Sequence, residues 1–235
     1  MEGKVDQTLL FHVQAIKMNS KIRISTEEFL GKILAGERDF SNIELKQGTN
    51  LPHSHLYKAT RDYLVNLGTE LKQNPINLSH SSFGYVRFGQ FYLPHAIAEG
   101  TCFTKSQFWC ADLSHGDFRN ARFREANLRR TNFKGGNLSK ANLYEAELSG
   151  AVLIDTNLTG SNIDRANLHE TNLSGANLTD THLKESHLNG PLPNQAHFEY
   201  KSIKVETHKR IPHNLARIAL ENLRRKDSMS LGNIK

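Results

Sequence analysis

The chain has 235 residues, a formal net charge of +6 and a hydrophobic content of 37%. No apolar stretch approaches the length of a membrane span, and the run at 8–13 is too short for a secretory signal, so we expect no membrane partner. The two cysteines, Cys102 and Cys110, are too few for a disulfide framework, which favours a reducing cytoplasm.

A helix is predicted near the N-terminus, after a segment at 1–24 to which the sequence assigns no structure. Ser25 and Glu28 have the spacing of a capping box, in which both side chains satisfy free amides of the first helical turn. Gly36 is placed to end the helix. Between them, apolar residues recur at helical spacing: Phe29, Leu30, Ile33 and Leu34. The range 25–75 is therefore predicted to be a helical N-terminal cap that also contains two early repeats.

The two early repeats and a second helix are predicted within this cap. Asp39-Phe40 and Ile43-Glu44-Leu45 resemble five-residue repeats that are out of phase with the main run described below. A second helical pattern is stopped by Asn74-Pro75, because a residue before proline is disfavoured in a helix. Its apolar residues are Leu56, Tyr63, Leu64, Leu67 and Leu71. Residues 46–75 are interpreted as a helical insertion or, alternatively, as a degenerate coil of the main repeat.

From Leu78 to Leu188 an apolar residue occupies every fifth position, which makes 23 consecutive pentads. A second, usually small side chain stands two residues before each of them. A period of five fits neither a helix at 3.6 residues per turn nor a strand at 2, so the chain must turn a corner every five residues. The predicted core includes Phe83, Phe88, Phe103, Phe108, Phe118, Phe123, Leu128, Phe133, Leu138 and Leu143.

These pentads resemble the pentapeptide-repeat family, whose motif is a small residue, Asp or Asn, Leu or Phe, and two free positions. Examples are Ala126-Asn127-Leu128, Ala141-Asn142-Leu143 and Ala166-Asn167-Leu168. The resemblance implies an all-β solenoid: a right-handed quadrilateral β-helix with four pentads per coil and short α-helical caps at both ends. Residues 76–190 would form just under six coils, about 27 Å long. Stacked ladders of the repeated Asn side chains are expected to stabilise the coils.

The range 191–235 is predicted to be a linker followed by a C-terminal capping helix. Pro191 and Pro193 end the repeat, and a helix signal begins at Pro212. Its apolar residues are Leu215, Ile218, Ala219 and Leu223. A cap over the last coil is the favoured interpretation, and a dimerising or partner-docking helix is the alternative. The sequence therefore leaves a monomer and a homodimer open.

No catalytic, cofactor or metal site is predicted. The strongest catalytic candidate is Cys110 with Asp112 and His115. However, Cys110 and His115 occupy the same pentad position on adjacent faces, so they point outward around a convex corner without the pocket that a Cys–His nucleophile needs. Two histidine pairs lack the third and fourth ligands of a tight metal site: His53 with His55, and His182 with His187. We therefore predict that the protein is not an enzyme and carries no cofactor.

Charge is polarised along the predicted β-helix. Residues 76–140 carry nine basic and four acidic groups, residues 141–190 carry two and seven, and residues 191–235 carry nine and four. The basic groups form a predicted girdle in which Asp117 and Glu125 are interspersed, so much of it is expected to be self-neutralised. Its members are Arg119, Arg122, Arg124, Arg129, Arg130 and Lys134.

Apolar residues at positions predicted to face outward are the second anomaly. They are Trp109, Tyr144, Val152 and Ile154. Clustered outward apolar side chains mark a contact surface, so these residues join the girdle as candidate partner-binding residues. Val152 and Ile154 flank Leu153 on one face, and we expect either the C-terminal helix or a second chain to cover them.

The predicted function is a non-enzymatic interaction scaffold of the bacterial cytoplasm, which binds a protein partner through the surface or ends of the β-helix. The resemblance implies an alternative, because quinolone-resistance pentapeptide proteins are dimeric rods that mimic DNA and bind type II topoisomerases. Such a mimic is acidic along its length, whereas here only 141–190 is acidic. Nucleic-acid binding through the girdle and tail is a further alternative, not favoured because regularly placed stacking aromatics are missing.

Overall fold

The computed structural model describes residues 21–187. The predictions for 1–20, for the last pentad at Leu188 and for the C-terminal helix at 191–235 lie outside the described residues and stay predictions. None of the helices in the described part is long and apolar enough to cross a membrane. The elements are β1 (Ile22–Ile24), α1 (Thr26–Leu34), β2 (Ile43–Leu45), a 3₁₀ turn (Leu51–His53), α2 (Tyr57–Leu67) and α3 (Glu70–Gln73).

Helix α1 begins and ends where the sequence predicts. The Ser25 hydroxyl accepts a hydrogen bond from the Glu28 amide at 3.0 Å, which confirms half of the capping box. Gly36 follows the helix with a φ of 93°, a left-handed conformation that favours glycine. The buried face of α1 lies against the first coils, since the Phe29 and Phe83 ring centroids are 5.8 Å apart. The helix thus covers the N-terminal end of the hydrophobic core.

The two early repeats belong to an initial coil that stacks on the main run. Asp39 pairs in parallel with Asn77, and Glu44 pairs with Ser82. Strand β1 pairs in parallel with β2, with Ile22 opposite Ile43, and so extends one side of this coil by a further layer. The early repeats are out of phase in sequence because an insertion separates them from the main run, not because they lie elsewhere in the fold.

Helices α2 and α3 form this insertion. Leu64 of α2 and Leu71 of α3 are buried, and α2 packs against α1. The Thr60 hydroxyl is also buried and donates to the Leu56 carbonyl at 2.9 Å. Helices therefore occupy most of the segment for which a degenerate coil was the alternative.

From residue 76 onward the chain forms a four-sided β-helix. Each pentad pairs in parallel with the pentad twenty residues later, so four pentads complete one coil. We name the faces by their first bridging residue: face A starts at Asn77, face B at Ser82, face C at Arg87 and face D at Tyr92. Backbone amides donate to carbonyls of adjacent coils on every face.

Every corner of the β-helix is a tight turn with a left-handed residue. All 22 residues at the fifth pentad position, from His80 to Glu185, have positive φ, and 17 of them are not glycine. A backbone bond closes each turn, as where the Ala126 amide donates to the Phe123 carbonyl at 2.9 Å. Left-handed backbone costs about 1–2 kcal/mol per ordinary residue, so the fold holds these corners through its packing and hydrogen bonds.

The repeated asparagines support the corners instead of forming the expected ladders. Each of nine such side chains accepts, through its oxygen, a bond from the backbone amide two residues later, as from the Tyr144 amide to Asn142 Oδ1 at 3.0 Å. The nine are Asn127, Asn132, Asn137, Asn142, Asn157, Asn162, Asn167, Asn172 and Asn177. No Asn–Asn side-chain bond joins coils within residues 21–187. The expectation of amide ladders is therefore wrong, because each oxygen is already engaged in a local Asx turn that leads into the corner.

The core of the β-helix matches the sequence prediction. All ten predicted core residues are 1% exposed or less. Their phenyl rings stack from coil to coil, with centroids 4.5 Å apart for Phe88 and Phe108 and 4.9 Å apart for Phe103 and Phe123. At the small inward position, threonines bond to the coil before, as where the Thr131 hydroxyl donates to the Phe108 carbonyl at 2.7 Å. The filled interior leaves the functional groups on the outside.

Candidate interaction surface on face C

The candidate catalytic group is spread over separate corners. Cys110 and His115 are both exposed corner residues with positive φ, as their shared pentad position predicts. The His115 ring stacks on His95 with centroids 5.2 Å apart. Burial, together with the neighbouring His115, lowers the pKa of His95. Within residues 21–187 no cluster of three or more His, Cys, Asp or Glu is placed to hold a metal ion.

Part of the predicted basic girdle is neutralised by its own neighbours. Arg119 contacts Asp117 at 2.8 Å and Glu99 at 3.1 Å. Arg124 contacts Glu125 at 3.0 Å. These guanidinium groups therefore have carboxylate partners on the same surface.

Arg122 has a thiol as its neighbour on face B. Burial opposes ionisation of the Cys102 thiol, but hydrogen bonds from Thr104 and Arg122 outweigh it and hold the pKa of Cys102 below its usual value. Arg122 thus differs from Arg119 and Arg124, which contact carboxylates, and it lies on a different face from Arg129 and Arg130.

Arg129 and Arg130 are exposed and form no ion pair with any residue that the structure describes. The reason lies in their neighbours one coil away. Corner residues twenty positions apart lie one coil from each other and form what we call a corner row. In its row, Arg130 has Cys110 one coil before it and Gly150 one coil after it, so neither adjacent coil offers it a carboxylate. Arg129 similarly lies between a tryptophan and a serine. No carboxylate of residues 21–187 therefore occupies either guanidinium group.

These two arginines line a groove on face C. Its volume is about 650 Å³, and its walls are Arg129, Arg130, Glu147, Ser149, Gly150, Arg165, Asn167, His169, Glu170 and His187. Gly150 makes the depression, because a β-carbon there would lie only 3.2 Å from Cγ of Arg130. The groove is thus the place where a small corner residue lets a long cationic side chain lie along the surface.

The opposite wall of the groove is electrostatically satisfied. Arg165 contacts Glu185 at 3.0 Å and Glu145 at 3.5 Å. The Asn167 amide donates to Glu147 at 3.1 Å. The unpaired positive charge of the groove is therefore concentrated on the side of Arg129 and Arg130.

Trp109 lies one coil before Arg129 on the same face. Its side chain is 38% exposed and rests against Gly89, where a β-carbon would collide with the indole ring. The Tyr57 hydroxyl of α2 donates to the Gly89 carbonyl, which fixes the insertion beside this surface. Sequence reasoning found Trp109 but missed Gly89, although its position twenty residues earlier was a usable signal.

The other predicted apolar residues have different surroundings. Tyr144 lies between Arg124 and Arg165, whose guanidinium carbons are 5.1 and 5.8 Å from its ring centroid. Val152 and Ile154 are half-buried on face D. The segment expected to cover them lies outside the described residues, so their cover stays a prediction. Tyr144 is thus part of a cation–π contact within the chain.

The match to a family sequence profile agrees with the five-residue period of the chain. The sequence profile described as pentapeptide repeats matches residues 106–143 and 141–180, with eight copies. A search of curated proteins finds no match.

Similar solved structures include a trypsin-treated variant of QnrB1, a plasmid-mediated fluoroquinolone resistance protein. It is 16% identical over 87% of this chain and 89% of that chain, with a TM-score of 0.38. Rfr23 from the cyanobacterium Cyanothece 51142 is 21% identical over 71% and 87%, with a TM-score of 0.27. HetL from Nostoc sp. strain PCC 7120, involved in heterocyst differentiation regulation, is 20% identical over 71% and 92%, with a TM-score of 0.21. The repeats of residues 106–180 match the pentapeptide-repeat family, whose members are right-handed quadrilateral β-helices.

Proposed function

We propose that the protein is a non-enzymatic interaction scaffold that binds a protein partner through face C of its β-helix. The observation that carries this proposal is the grouping of Trp109, Arg129 and Arg130 on one face, exposed and without ion pairs to described residues. Tryptophan and arginine are enriched among the residues that dominate protein–protein binding energy. A rigid column with such a patch is suited to present a fixed surface to a partner.

The packing of the β-helix supports a surface function over an internal one. Inward positions from Leu78 to Leu183 are filled by side chains that are at most 6% exposed. A ligand therefore has to approach the outer faces, where the groove of face C is open to solvent. The two free cysteines suit our further proposal that the scaffold works in a reducing cytoplasm.

A matched pair of photo-crosslinking positions tests the proposed face. Ser149 and Thr159 occupy the same pentad position ten residues apart, on faces C and A, and both are half-buried. A photoreactive amino acid at each position, in cells that produce the protein, is expected to crosslink a discrete partner from position 149 and not from position 159. Equal crosslinking from both positions, or none from position 149, would remove face C from the proposal.

A further inference from the structure

We infer that the groove of face C recognises an anionic group, a carboxylate or a phosphate, carried on a short segment of the protein partner. This inference rests on the proposed function and adds the chemistry of its binding site. The groove is bounded by two arginines without carboxylate partners among the described residues, and it has a polar floor. A planar guanidinium offers two parallel N–H donors, which match the oxygen spacing of carboxylate and phosphate groups.

The floor of the groove adds space and further donors. Ser149 supplies a hydroxyl, and Gly150 leaves open the volume that a corner side chain would fill. The imidazoles of His169 and His187 stand on the walls and can donate hydrogen bonds. An anionic group seated there would meet donors from two arginines and a hydroxyl at once, where an exposed arginine elsewhere offers only one guanidinium.

The surrounding charge favours a short segment over a nucleic acid. Two carboxylates, Glu147 and Glu170, line the groove itself. A polyanion lying along face C would place successive phosphates beside these carboxylates, within the distance at which charges in water repel. A segment with one or two anionic groups reaches Arg129 and Arg130 without that repulsion.

The chain's own C-terminal region has the wrong charge to be the occupant. His187, the last described residue, itself lines the groove, so the region that follows it in sequence has to be considered as an occupant. Residues 191–235 carry nine basic and four acidic groups. The net positive charge of this region disfavours it beside two arginines that have no carboxylate partner among residues 21–187, whereas an acidic segment of another protein is complementary to them.

The test is fluorescence anisotropy with the full-length protein and defined labelled probes. The anionic probes are a hexaglutamate peptide and a Gly-Ser peptide with a single phosphoserine. Hexaglutamine and a twelve-nucleotide oligothymidine are the neutral and nucleic-acid probes. Two pairs of variants separate the groove from general charge. Arg129→Ala with Arg130→Ala is compared with Arg119→Ala with Arg124→Ala, which removes the same charge from carboxylate-paired sites.

The second pair of variants fills the groove without removing an arginine. Gly150→Glu places a carboxylate beside Arg130, and Gly160→Glu makes the same change at the diagonally opposite corner of the same coil. Both glycines have left-handed φ, and glutamate already occupies such corners at Glu125 and Glu145. Both variants are therefore expected to fold, although the new β-carbon at Gly150 requires the Arg130 side chain to shift slightly, whereas the one at Gly160 would lie 3.7 Å from Cγ of Lys140. Thermal melting checks both.

The expected result is that at least one anionic peptide binds the native protein and that Arg129→Ala with Arg130→Ala weakens it about tenfold or more. Gly150→Glu is expected to act in the same direction, and both control variants should stay within about twofold. Preference for one anionic peptide identifies carboxylate or phosphate, and either supports the inference.

Three outcomes overturn the inference. These are the absence of binding to both anionic peptides, equal losses in groove and control variants, and tighter groove-dependent binding of oligothymidine than of either peptide. If position 149 still crosslinks a partner when both anionic peptides fail, face C remains the docking surface and only the anion chemistry is removed.

Discussion

Along the edge between faces B and C, charged side chains pair with neighbours in adjacent coils, whereas along the edge between faces C and D, as far as residue 187, they do not. On the first edge Lys105 contacts Glu125 at 3.2 Å and Arg165 contacts Glu185 at 3.0 Å. Hydrogen bonds from Lys105 and Arg124 hold the pKa of Glu125 below its usual value. On the second edge Arg130 stands between a cysteine and a glycine.

The contrast shows how one backbone serves two purposes. Both edges have the same turns, so the difference lies only in which residues stand twenty positions apart. Opposite charges at that spacing join neighbouring coils, and their side chains are held by each other. A cation without such a neighbour adds little to coil stacking and stays accessible. Whether a charged side chain can bind another molecule therefore depends on the residues twenty positions before and after it, and not on its solvent exposure alone.

The largest effect is expected from a substitution in the hydrophobic core of the β-helix, on which both edges depend. Phe123→Asp would bury an unpaired charge between the Phe103 ring, which stacks on Phe123, and the Phe133 ring, which meets Phe123 edge-on, at a cost of roughly 3–5 kcal/mol. Thermal unfolding followed by circular dichroism should show a large fall in melting temperature. An unchanged melting temperature would mean that the pentad register is wrong.

The next largest effect is expected on face D, which adjoins the unpaired edge. If the C-terminal region covers Val152 and Ile154, truncation after Pro193 should expose them and induce self-association. If a second chain covers them, the full-length protein should sediment as a dimer and Ile154→Asp should make it monomeric. Burial of the two side chains is worth about 2–4 kcal/mol in total. A full-length monomer that truncation leaves unchanged would eliminate both explanations.

Arginines with and without partners on the described surface should differ measurably in their contribution to stability. Tyr144→Leu removes the ring held between two guanidinium groups and should lower the free energy of unfolding by about 0.5–1 kcal/mol. Arg129→Ala with Arg130→Ala should change it by less than about 0.5 kcal/mol. Urea denaturation of both variants decides the matter, and an equal loss in the two would contradict the contrast.

A near-zero effect is expected for the Cys–His pair. Changing Cys110 and His115 to Ala should leave partner binding intact, because the two side chains stand on different corners. Crosslinking from position 149 in this double variant provides the measurement. Loss of binding with the fold preserved would assign the pair a role that the scaffold proposal does not contain.

The protein is not expected to protect DNA gyrase, a type II topoisomerase, in the way that a DNA mimic does. Acidic residues predominate only at 141–190, and the first half of the β-helix has the opposite sign. A protein that fills a DNA-binding saddle needs negative charge along its length. A supercoiling assay with a quinolone is the measurement, and protection at stoichiometric protein would make the topoisomerase alternative the leading one.

The sequence predicts the core of this fold well because the information is local and repeated. Phe123 is recognisable as a core residue from its place in the pentad, and Ser25 with Glu28 marks a helix start within four residues. The role of the asparagines was misjudged, since a ladder and an Asx turn demand the same residue. Only the geometry of Asn142 and its neighbours distinguishes them.

The candidate site was harder to predict because it depends on pairs that are distant in sequence. Arg119 and Arg130 look alike in a linear girdle, but Arg119 has Glu99 twenty residues before it and Arg130 has Cys110. Writing the sequence in rows of twenty would have separated them. The groove also depends on Gly150, a residue whose function is to be small.

The uniform left-handed corners have a consequence for how such a surface can evolve. Because 17 of the 22 corner positions hold residues other than glycine, the backbone accepts many side chains there without changing its path. Each corner row thus presents one side chain about every 4.8 Å, and a single mutation changes one of these side chains without moving the others. Recognition can drift along a row while the buried residues, and with them the folded state, stay as they were.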